Sequence, residues 1–514
     1  MQPPALNPDE AAMAAAATHE TGVGGKSSVL SGVWVYGACA VLAVGLMLYA
    51  QTWAFTDDEG FHLLAAQLIK GGMRPYLDFC FPQTPFNAYW NAFWMSVFSD
   101  SWRTAHALAA LETSAAVTLA AQFVYAKLPE RPWRVAGAIA AATIIGLNAN
   151  LVQFGSLGQA YGICLFASVC AFRLAVAAVD RRAPWVAAAA GVFAGVAAAS
   201  SLLSVMVAPV LLVWIFWHDR VGNRWIKAPV FVAASAIPGL PVLRLLVQSP
   251  WVVWFNVAQY HLHFREVYWP DPFSHDVETL TAWASEPQSL LMGLLAIFAV
   301  VYIARRSNWS HERRSEFYLC GWLAIGIAAE LAFAHPTFPR YFCLLAPFLG
   351  ILAVPGLYAI GSRVLEPERP FWPVLIITVI SAGVLARTLY DNRALSTWPE
   401  YEDMARKLVK VTPPGKLMFT DEGVYFVAKR RPPRGMEFGY SHKLKLPAER
   451  LAALHVTPES ELQRELAADV FASAATCDHD TVDTYALEKV FQQKEDLHDC
   501  SVFSDWKPAT AEKK

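Results

Sequence analysis

The stretch VWVYGACAVLAVGLMLYAQTWAF, residues 33–55, is followed at once by TDDEG, residues 56–60. The first part is a continuous apolar segment, and about 20 such residues are enough to cross the hydrocarbon core of a bilayer. Three carboxylates, Asp57, Asp58 and Glu59, come directly after it. Charged groups beside a membrane are costly, so this cluster predicts a functional site at the membrane surface. The plain alternative is a solvated loop end.

The composition of the whole chain indicates a polytopic membrane protein. Of the 514 residues, 55% are hydrophobic and 16% are charged, and there are 19 Trp and 30 Phe. Soluble domains carry about 25% charged residues, and abundant aromatic residues are typical of the membrane interface. The formal net charge of -2 lacks the basic excess of nucleic-acid-binding proteins, so no nucleic-acid partner is expected.

The apolar segments predict about eleven membrane spans. After residues 33–55 they lie at 104–125, 133–148, 156–179, 185–200, 201–217, 228–246, 290–303, 317–334, 341–360 and 371–389. Residues 1–30 are rich in Ala, Gly and Ser and predict a disordered segment ahead of an uncleaved anchor. The segments at 185–200 and 201–217 could instead form one helix, which would exchange the sides of all later loops.

The basic residues of the short loops predict the orientation, because cytoplasmic loops are enriched in Lys and Arg. With the N-terminus in the cytoplasm, each inner loop is basic, through Lys127, Arg131, Arg134, Arg181, Arg182, Arg220, Arg224, Lys227, Arg305, Arg306, Arg313, Arg314 and Arg363. The predicted membrane domain covers residues 31–392, with outer loops at 56–101 and 249–287. An odd number of spans places the C-terminus outside.

Residues 393–514 have the composition of a soluble domain. Predicted strands at 416–419, 470–474 and 501–503 alternate with helices such as 459–468, which favours a small α/β domain. Cys477 and Cys500 fall in this domain and could pair in an oxidising compartment. The other six cysteines show no metal-ligand spacing and are expected to pack as small apolar residues.

The first outer loop carries an ordered motif. It reads DDEGFHLLAAQLIKGG from residue 57, then PYLDF from residue 75 and PQTP from residue 82. This pattern resembles the GT-C glycosyltransferases, in particular the bacterial relatives of the dolichyl-phosphate-mannose protein mannosyltransferases and of the aminoarabinose transferases that modify lipid A. The matching residues are Asp58, Glu59, Gly60, Pro75, Tyr76, Asp78, Phe79, Pro82 and Pro85.

The resemblance implies an α-helical polytopic enzyme with a small C-terminal α/β domain, in the bacterial inner membrane. Its substrate would be a sugar on a polyprenyl phosphate, and its acceptor a lipid, a glycan or a protein. Sugar transfer needs a base beside the acceptor, and a single carboxylate opposite the leaving group suits an inverting displacement. The resemblance points to Asp58 as the base with Glu59 as its neighbour. Asp57 leaves this assignment ambiguous by one residue.

Further outer-loop residues are candidates for binding the substrate. Arg265, His335 and Arg340 could contact the phosphate, because Arg suits bidentate phosphate binding; Arg340 could instead be a helix-end arginine that reaches for water. His261 and His263 could contact the sugar or a headgroup, or pack at the interface. Asp78 could position the sugar or cap a helix. The second acidic tripeptide, 421–423, is interpreted as remote from the membrane and without a role in the site.

The main hypothesis is therefore a membrane glycosyltransferase, and the alternatives are a transporter or flippase of lipid-linked saccharides and a structural scaffold. The candidate residues gather in outer loops and no internal repeat is evident, whereas transporters often show repeats and polar residues at mid-membrane depth. No nucleotide-binding fingerprint is present, so no nucleotide cofactor is indicated. The use of a divalent metal stays open.

The orientation can be tested with reporters or thiol labels. A label at Asp421 should be extracytoplasmic and one at Arg313 cytoplasmic, since the basic residues alternate by loop. Labels on the same side would refute the eleven-span topology, and exchanged sides would move the candidate site to the cytoplasm.

Overall fold

The computed structural model describes residues 32–55, 58–268, 271–307, 309–334, 336–364 and 369–507, and of residues 265–268 the backbone alone. It consists of a helical membrane domain followed by a small α/β domain. The eighteen helices described in the first part are α1 Gly32–Thr52, α2 Glu59–Lys70, α3 Phe86–Val97, α4 Trp102–Lys127, α5 Arg134–Gly146, α6 Ala149–Phe154, α7 Tyr161–Ala178, α8 Trp185–Ser200, α9 Val207–His218, α10 Arg224–Ala236, α11 Leu240–Gln248, α12 Pro250–Trp254, α13 Tyr260–Tyr268, α14 Pro272–Ser285, α15 Pro287–Arg305, α16 His311–Phe333, α17 Ala346–Val364 and α18 Phe371–Asp391.

Eight helical segments of the described chain are long and apolar enough to cross a membrane: Gly32–Thr52, Trp102–Lys127, Tyr161–Ala178, Arg224–Gln248, Pro287–Arg305, His311–Phe333, Pro339–Val364 and Phe371–Asp391. The three other predicted spans also coincide with helices, but these are shorter: α5, α8 and the segment Leu202–His218. At 1.5 Å per residue, the 13 residues of α5 cover about 20 Å, less than the roughly 30 Å hydrocarbon core. The chain is an integral membrane protein.

The region at 185–217 forms two helices. Ser201 is extended, with φ of -155° and ψ of 131°, and this ends α8 before a short 3₁₀ turn leads into α9. The glycines of α8 allow α10 to approach closely, since a Cβ at Gly191 or Gly195 would overlap the carbonyl oxygen of Phe231 or Ser235. Small residues are typical of such close contacts between membrane helices.

The predicted first outer loop contains two short helices, α2 and α3, and the residues between them, 71–85, include a tight turn at Arg74–Asp78. Tyr76 has a φ of 69° in this turn, and its hydroxyl donates to the carbonyl of Gln83 at 2.6 Å. The second outer loop, predicted as an aromatic-rich stretch at 249–287, is also helical. It contains α12, a π-helical turn at Phe255–Gln259, α13 and α14.

The C-terminal domain has the predicted α/β composition. Its elements are α19 Trp398–Val411, β1 Leu417–Thr420, α20 Glu422–Ala428, α21 Ala448–Ala453, α22 Glu459–Ala467, β2 Phe471–Thr476, α23 His479–Thr484, α24 Leu487–Val490, β3 Phe491–Leu497 and β4 Cys500–Trp506. The sheet has the order β1-β2-β4-β3, with β1 and β2 parallel and the other pairs antiparallel.

Two features of this domain go beyond the sequence analysis. The edge strand β3 was not predicted, because its sequence FQQKEDL is mostly polar and exposed, as is common at sheet edges. Cys477 and Cys500, whose pairing the sequence left open, form a disulfide.

A single hydrophobic cluster joins the outer loop to the C-terminal domain. Leu63 and Leu64 of α2 and Phe79 of the turn belong to the same buried cluster as Tyr425 of α20 and Phe438. Burial of apolar area at about 25 cal/mol per Å² holds such a contact together without directional bonds. The domain is therefore packed on α2, the helix that begins at the acidic cluster.

Asp421 is half-buried in this domain, so an exposed residue of the same domain such as Asp483 is the better position for a topology label. Burial, followed by the negative charge of Glu422, raises the pKa of Asp421 from 3.8 to about 7. A carboxyl group whose pKa is higher in the folded state stabilises the fold below its unfolded value, and that stabilisation is lost as the pH rises toward the folded value.

We therefore expect the melting temperature of the Asp421→Asn variant, relative to the wild type, to increase between about pH 4 and pH 7. The variant loses one hydrogen-bond acceptor at every pH, so the pH dependence of the difference is the informative quantity. Thermal unfolding of the detergent-purified chain measures it. A difference that stays constant with pH would contradict the ionisation described for Asp421.

Candidate active site

The carboxyl group of Glu59, the first residue of α2, is fully buried and forms hydrogen bonds with three parts of the chain. Its Oε2 lies 2.8 Å from both His106 Nε2 and Trp398 Nε1, and its Oε1 accepts from the backbone N–H of Gly158. The other ring nitrogen of His106 lies 2.6 Å from the carbonyl oxygen of Ala50. These contacts join α1, α4, the turn before α7 and α19 around one side chain.

The Glu59–His106 contact requires a proton. The carbonyl of Ala50 can only accept, so Nδ1 of His106 carries a hydrogen. Nε2 then meets Glu59 either as an imidazolium N–H or as the acceptor of a protonated carboxyl group. In both cases the pair has no net charge, which lowers the cost of burying it.

Asp58, the preceding residue, has a different environment. Its Oδ2 lies 2.7 Å from Nη2 of Arg340, and the two side chains are 31% and 19% exposed. Arg340 comes from the 3₁₀ turn Pro339–Leu345 that leads into α17, and its guanidinium lies 4.8 Å from the ring centre of Phe338. An arginine–carboxylate contact of this length is a charge-assisted hydrogen bond.

Asp58 and Arg340 line a cavity of about 700 Å³ at the junction of three parts of the molecule. The outer loop contributes Asp58, His62 and Thr84, the membrane domain contributes residues such as Tyr161, Glu330 and Arg340, and the C-terminal domain contributes Phe438 and Tyr440. Part of the wall is apolar, through Leu202, Leu203 and Phe333. A cavity with a few convergent polar groups on a largely apolar wall is typical of a ligand site.

The other predicted site residues are distributed more widely. His261 lines the cavity from α13, whereas His263 is stacked on the ring of Phe255 at 5.8 Å. Asp78 does not line the described cavity and binds Arg74, with Oδ1 2.9 Å from Nη2 and Oδ2 3.0 Å from Nε. This ion pair, foremost the side-chain hydrogen bond, lowers the pKa of Asp78.

The side chains of three predicted site residues lie outside the part of the molecule that the structure describes. Asp57 and His335 lie outside the residues that the structure describes, and Arg265 is described only by its backbone, within α13. Among the described residues, no group of three or more His, Cys, Asp or Glu side chains could hold a metal ion.

The acidic tripeptide 421–423, which the sequence analysis set aside, lies beside the site. A Cβ at Gly60 would be 2.9 Å from the backbone nitrogen of Gly423, so the starts of α2 and α20 touch at their backbones. Burial and, to a smaller extent, the charge of Asp58 raise the pKa of Glu422. The expectation that this tripeptide is remote from the membrane site was wrong, because tertiary packing brings it there.

Several residues in or next to the cavity wall had no assigned role in the sequence analysis. His62 lies within the motif, and its spacing of four residues from Asp58 could have indicated a shared helix face. His106 is an ionisable residue inside a predicted span, which is a signal in itself. Phe438 and Tyr440 carry no local signal, since their place depends on how the C-terminal domain packs.

The fold was compared with known proteins. No protein-family model and no curated protein matches the chain. Among solved structures, ArnT from Cupriavidus metallidurans in the apo state is similar over 91% of this chain and 97% of its own, with a TM-score of 0.63 and 14% identity. The same protein bound to undecaprenyl phosphate has a TM-score of 0.60, with 14% identity over the same shares of both chains.

A third similar structure is the apo oligosaccharyltransferase of Archaeoglobus fulgidus. It covers 86% of this chain and 69% of its own, with a TM-score of 0.52 and 14% identity. The chain has the fold of the GT-C glycosyltransferases. The fold predicted from the outer-loop motif is thus confirmed. At this identity the comparison establishes the GT-C architecture and no more.

Removing the Glu59 carboxylate should destabilise the protein. Glu59→Ala leaves three buried groups, from His106, Gly158 and Trp398, without their hydrogen-bond partner, and breaking such a buried pair costs about 3–5 kcal/mol. We expect a marked fall in the melting temperature of the purified chain. Trp398→Phe, which removes one donor and keeps an aromatic ring, should cost less, about 1.5–3 kcal/mol. A Glu59→Ala variant as stable as the wild type would refute this role.

Proposed function

We propose that the chain is a membrane glycosyltransferase, which transfers a sugar from a polyprenyl-phosphate-linked donor to an acceptor on the extracytoplasmic face. The observation that carries the proposal is the Asp58–Arg340 pair on the wall of the cavity. It puts a carboxylate and a guanidinium together at the site of the GT-C motif. The similar ArnT structure with bound undecaprenyl phosphate supports a lipid phosphate as the donor's carrier.

Asp58 is proposed as the general base. It takes the proton of an acceptor hydroxyl or amine, whose oxygen or nitrogen then forms a bond to the anomeric carbon of the donor sugar. The bond between this carbon and the phosphate oxygen breaks, and the polyprenyl phosphate leaves with the electron pair. One carboxylate opposite the leaving group gives inversion of configuration. Glu59, one residue further, is buried and supports the start of α2 rather than the reaction.

Arg340 is proposed to bind the donor phosphate. A guanidinium has five N–H donors, so it can contact a carboxylate and a phosphate at the same time. Arg340 donates to Asp58 through Nη2. The arginine would thereby hold the base and the leaving group in one geometry, and it would stabilise the charge that develops on the phosphate.

The disulfide supports an extracytoplasmic site. Structural disulfides persist in oxidising compartments such as the periplasm. The domain that contains Cys477 and Cys500 also contributes Phe438 and Tyr440 to the cavity wall. The cavity and the disulfide would then share the same side of the membrane as the C-terminus in the eleven-span topology.

Asp58→Asn should lower sugar transfer by about a hundredfold or more, the scale of general acid–base catalysis. The assay follows the release of undecaprenyl phosphate from a panel of undecaprenyl-phosphate hexoses, pentoses and aminopentoses, with membrane extract as the source of acceptor. Asp78→Asn is the matched control, because this carboxylate lies in the same outer loop but does not line the described cavity. Loss of turnover in Asp57→Asn but not in Asp58→Asn would move the base by one residue. Activity in both Asp57→Asn and Asp58→Asn would refute the carboxylate mechanism.

The same assay tests Arg340 through the dependence of the rate on donor concentration. Arg340→Ala loses a charge-assisted contact worth about 1.5–3 kcal/mol, or roughly ten- to a hundredfold in donor efficiency. Arg340→Lys should recover part of this, because Lys keeps the charge but not the planar fork. Wild-type donor kinetics in the alanine variant would leave Arg340 as a structural partner of Asp58 only.

A further inference from the structure

Two residues of the cavity wall each carry a buried polar atom that is unsatisfied. His62 is 8% exposed and Thr84 is 9% exposed, and neither Nδ1 of His62 nor Oγ1 of Thr84 has a hydrogen-bond partner among the residues that the structure describes. Buried polar groups in folded proteins are nearly always paired, so a pair of unsatisfied atoms on one wall requires an explanation.

Both residues lie beside the proposed reaction centre. His62 follows Asp58 by four residues at the start of α2, which places the two on the same side of this helix. Thr84 lies in the segment just before α3. Both residues line the same cavity as Asp58 and Arg340. The ring of His62 is stacked at 4.2 Å on Phe61 and meets Phe81 at 6.1 Å, so aromatic rings surround much of the imidazole.

As they stand, these two atoms have almost no exposed surface, and side-chain rotation would turn them toward the cavity. The Thr84 hydroxyl moves between staggered positions by rotation about its Cα–Cβ bond, and a flip of the imidazole exchanges the two sides of its ring. The His62 imidazole is neutral, because burial and then the positive charge of Arg340 lower its pKa to about 3. The wall thus offers a neutral imidazole and a hydroxyl, each able to donate or accept.

We propose that His62 and Thr84 form the subsite for the sugar of the lipid-linked donor, where they hydrogen bond its hydroxyl groups. This inference rests on the proposed function. The polyprenyl chain is apolar and cannot satisfy either atom, and the phosphate is matched by Arg340. The part of the donor that remains is a sugar ring whose hydroxyl groups both donate and accept, which suits this pair of side chains.

The subsite would also determine which sugars are used. A pocket that hydrogen bonds a hydroxyl group rejects an analogue that lacks it, because its own buried polar groups are then left unpaired. The pair would therefore discriminate against deoxy sugars at the positions that it contacts, whereas the length of the lipid would have little influence.

The test uses variants that remove the polar atoms and keep the shape: Thr84→Val, His62→Phe and the double variant, in the purified full chain. The binding probes are undecaprenyl phosphate without a sugar and the undecaprenyl-phosphate sugar that the wild type turns over. We expect each single variant to weaken binding of the sugar-bearing probe about tenfold. Binding of undecaprenyl phosphate itself should change less than about twofold, a difference that misfolding would not produce.

Thr420→Val is the matched control. The Oγ1 of Thr420 is also buried without a partner among the described residues, but it lies in β1 and does not line the cavity. This variant should bind both probes like the wild type. Equal weakening for both probes, unchanged binding of the sugar-bearing probe, or an altered acceptor KM with an unaltered donor KM would each overturn the assignment.

The outcome separates the subsite from the proposed function. If the wild type shows no Asp58-dependent release of undecaprenyl phosphate from any sugar of the panel, the proposed function itself fails. If that release is present and the His62 and Thr84 variants bind the sugar-bearing probe normally, only the subsite is wrong.

Discussion

A carboxylate without access to water needs hydrogen-bond donors from the protein, and Glu59 takes them from segments far apart in sequence. His106 belongs to the second long helix, Gly158 to the turn before the next span, and Trp398 to the first helix of the C-terminal domain. The complete set of contacts forms only when the membrane helices and the C-terminal domain are both in place. The position of Asp58, one residue away, follows from this assembly.

The side chains of Asp58 and Glu59, although adjacent in sequence, point in different directions because they lie at the start of a helix. Successive residues of an α-helix point about 100° apart, so Glu59 can face the protein interior while Asp58 faces the cavity. Both lie at the positive end of the α2 dipole, which stabilises negative charge there. The proposed chemistry would thus need only one exposed carboxylate, Asp58, while Glu59 fixes its position.

The sequence supports the fold more strongly than the site. Long apolar segments and the outer-loop motif are local signals, and each predicted span coincides with a helix. The proximity of Asp58 and Arg340 could be expected only because both were assigned to the outer face. The tripeptide at 421–423 was misinterpreted and Phe438 was missed, since packing of the C-terminal domain on α2 has no local signature. Strand β3 was missed because it is polar.

The contact between Gly60 and Gly423 has a consequence for how such a site can diversify. Neither residue has a side chain, so the starts of α2 and α20 touch through their backbones. No side chain therefore separates the C-terminal domain from the membrane domain at this point. This backbone contact sets how closely the C-terminal domain approaches the membrane helices beside the cavity. A change in which substrates the cavity binds would then come from the residues of its wall. New specificity can arise by substitution there, while the contact between the two domains stays the same.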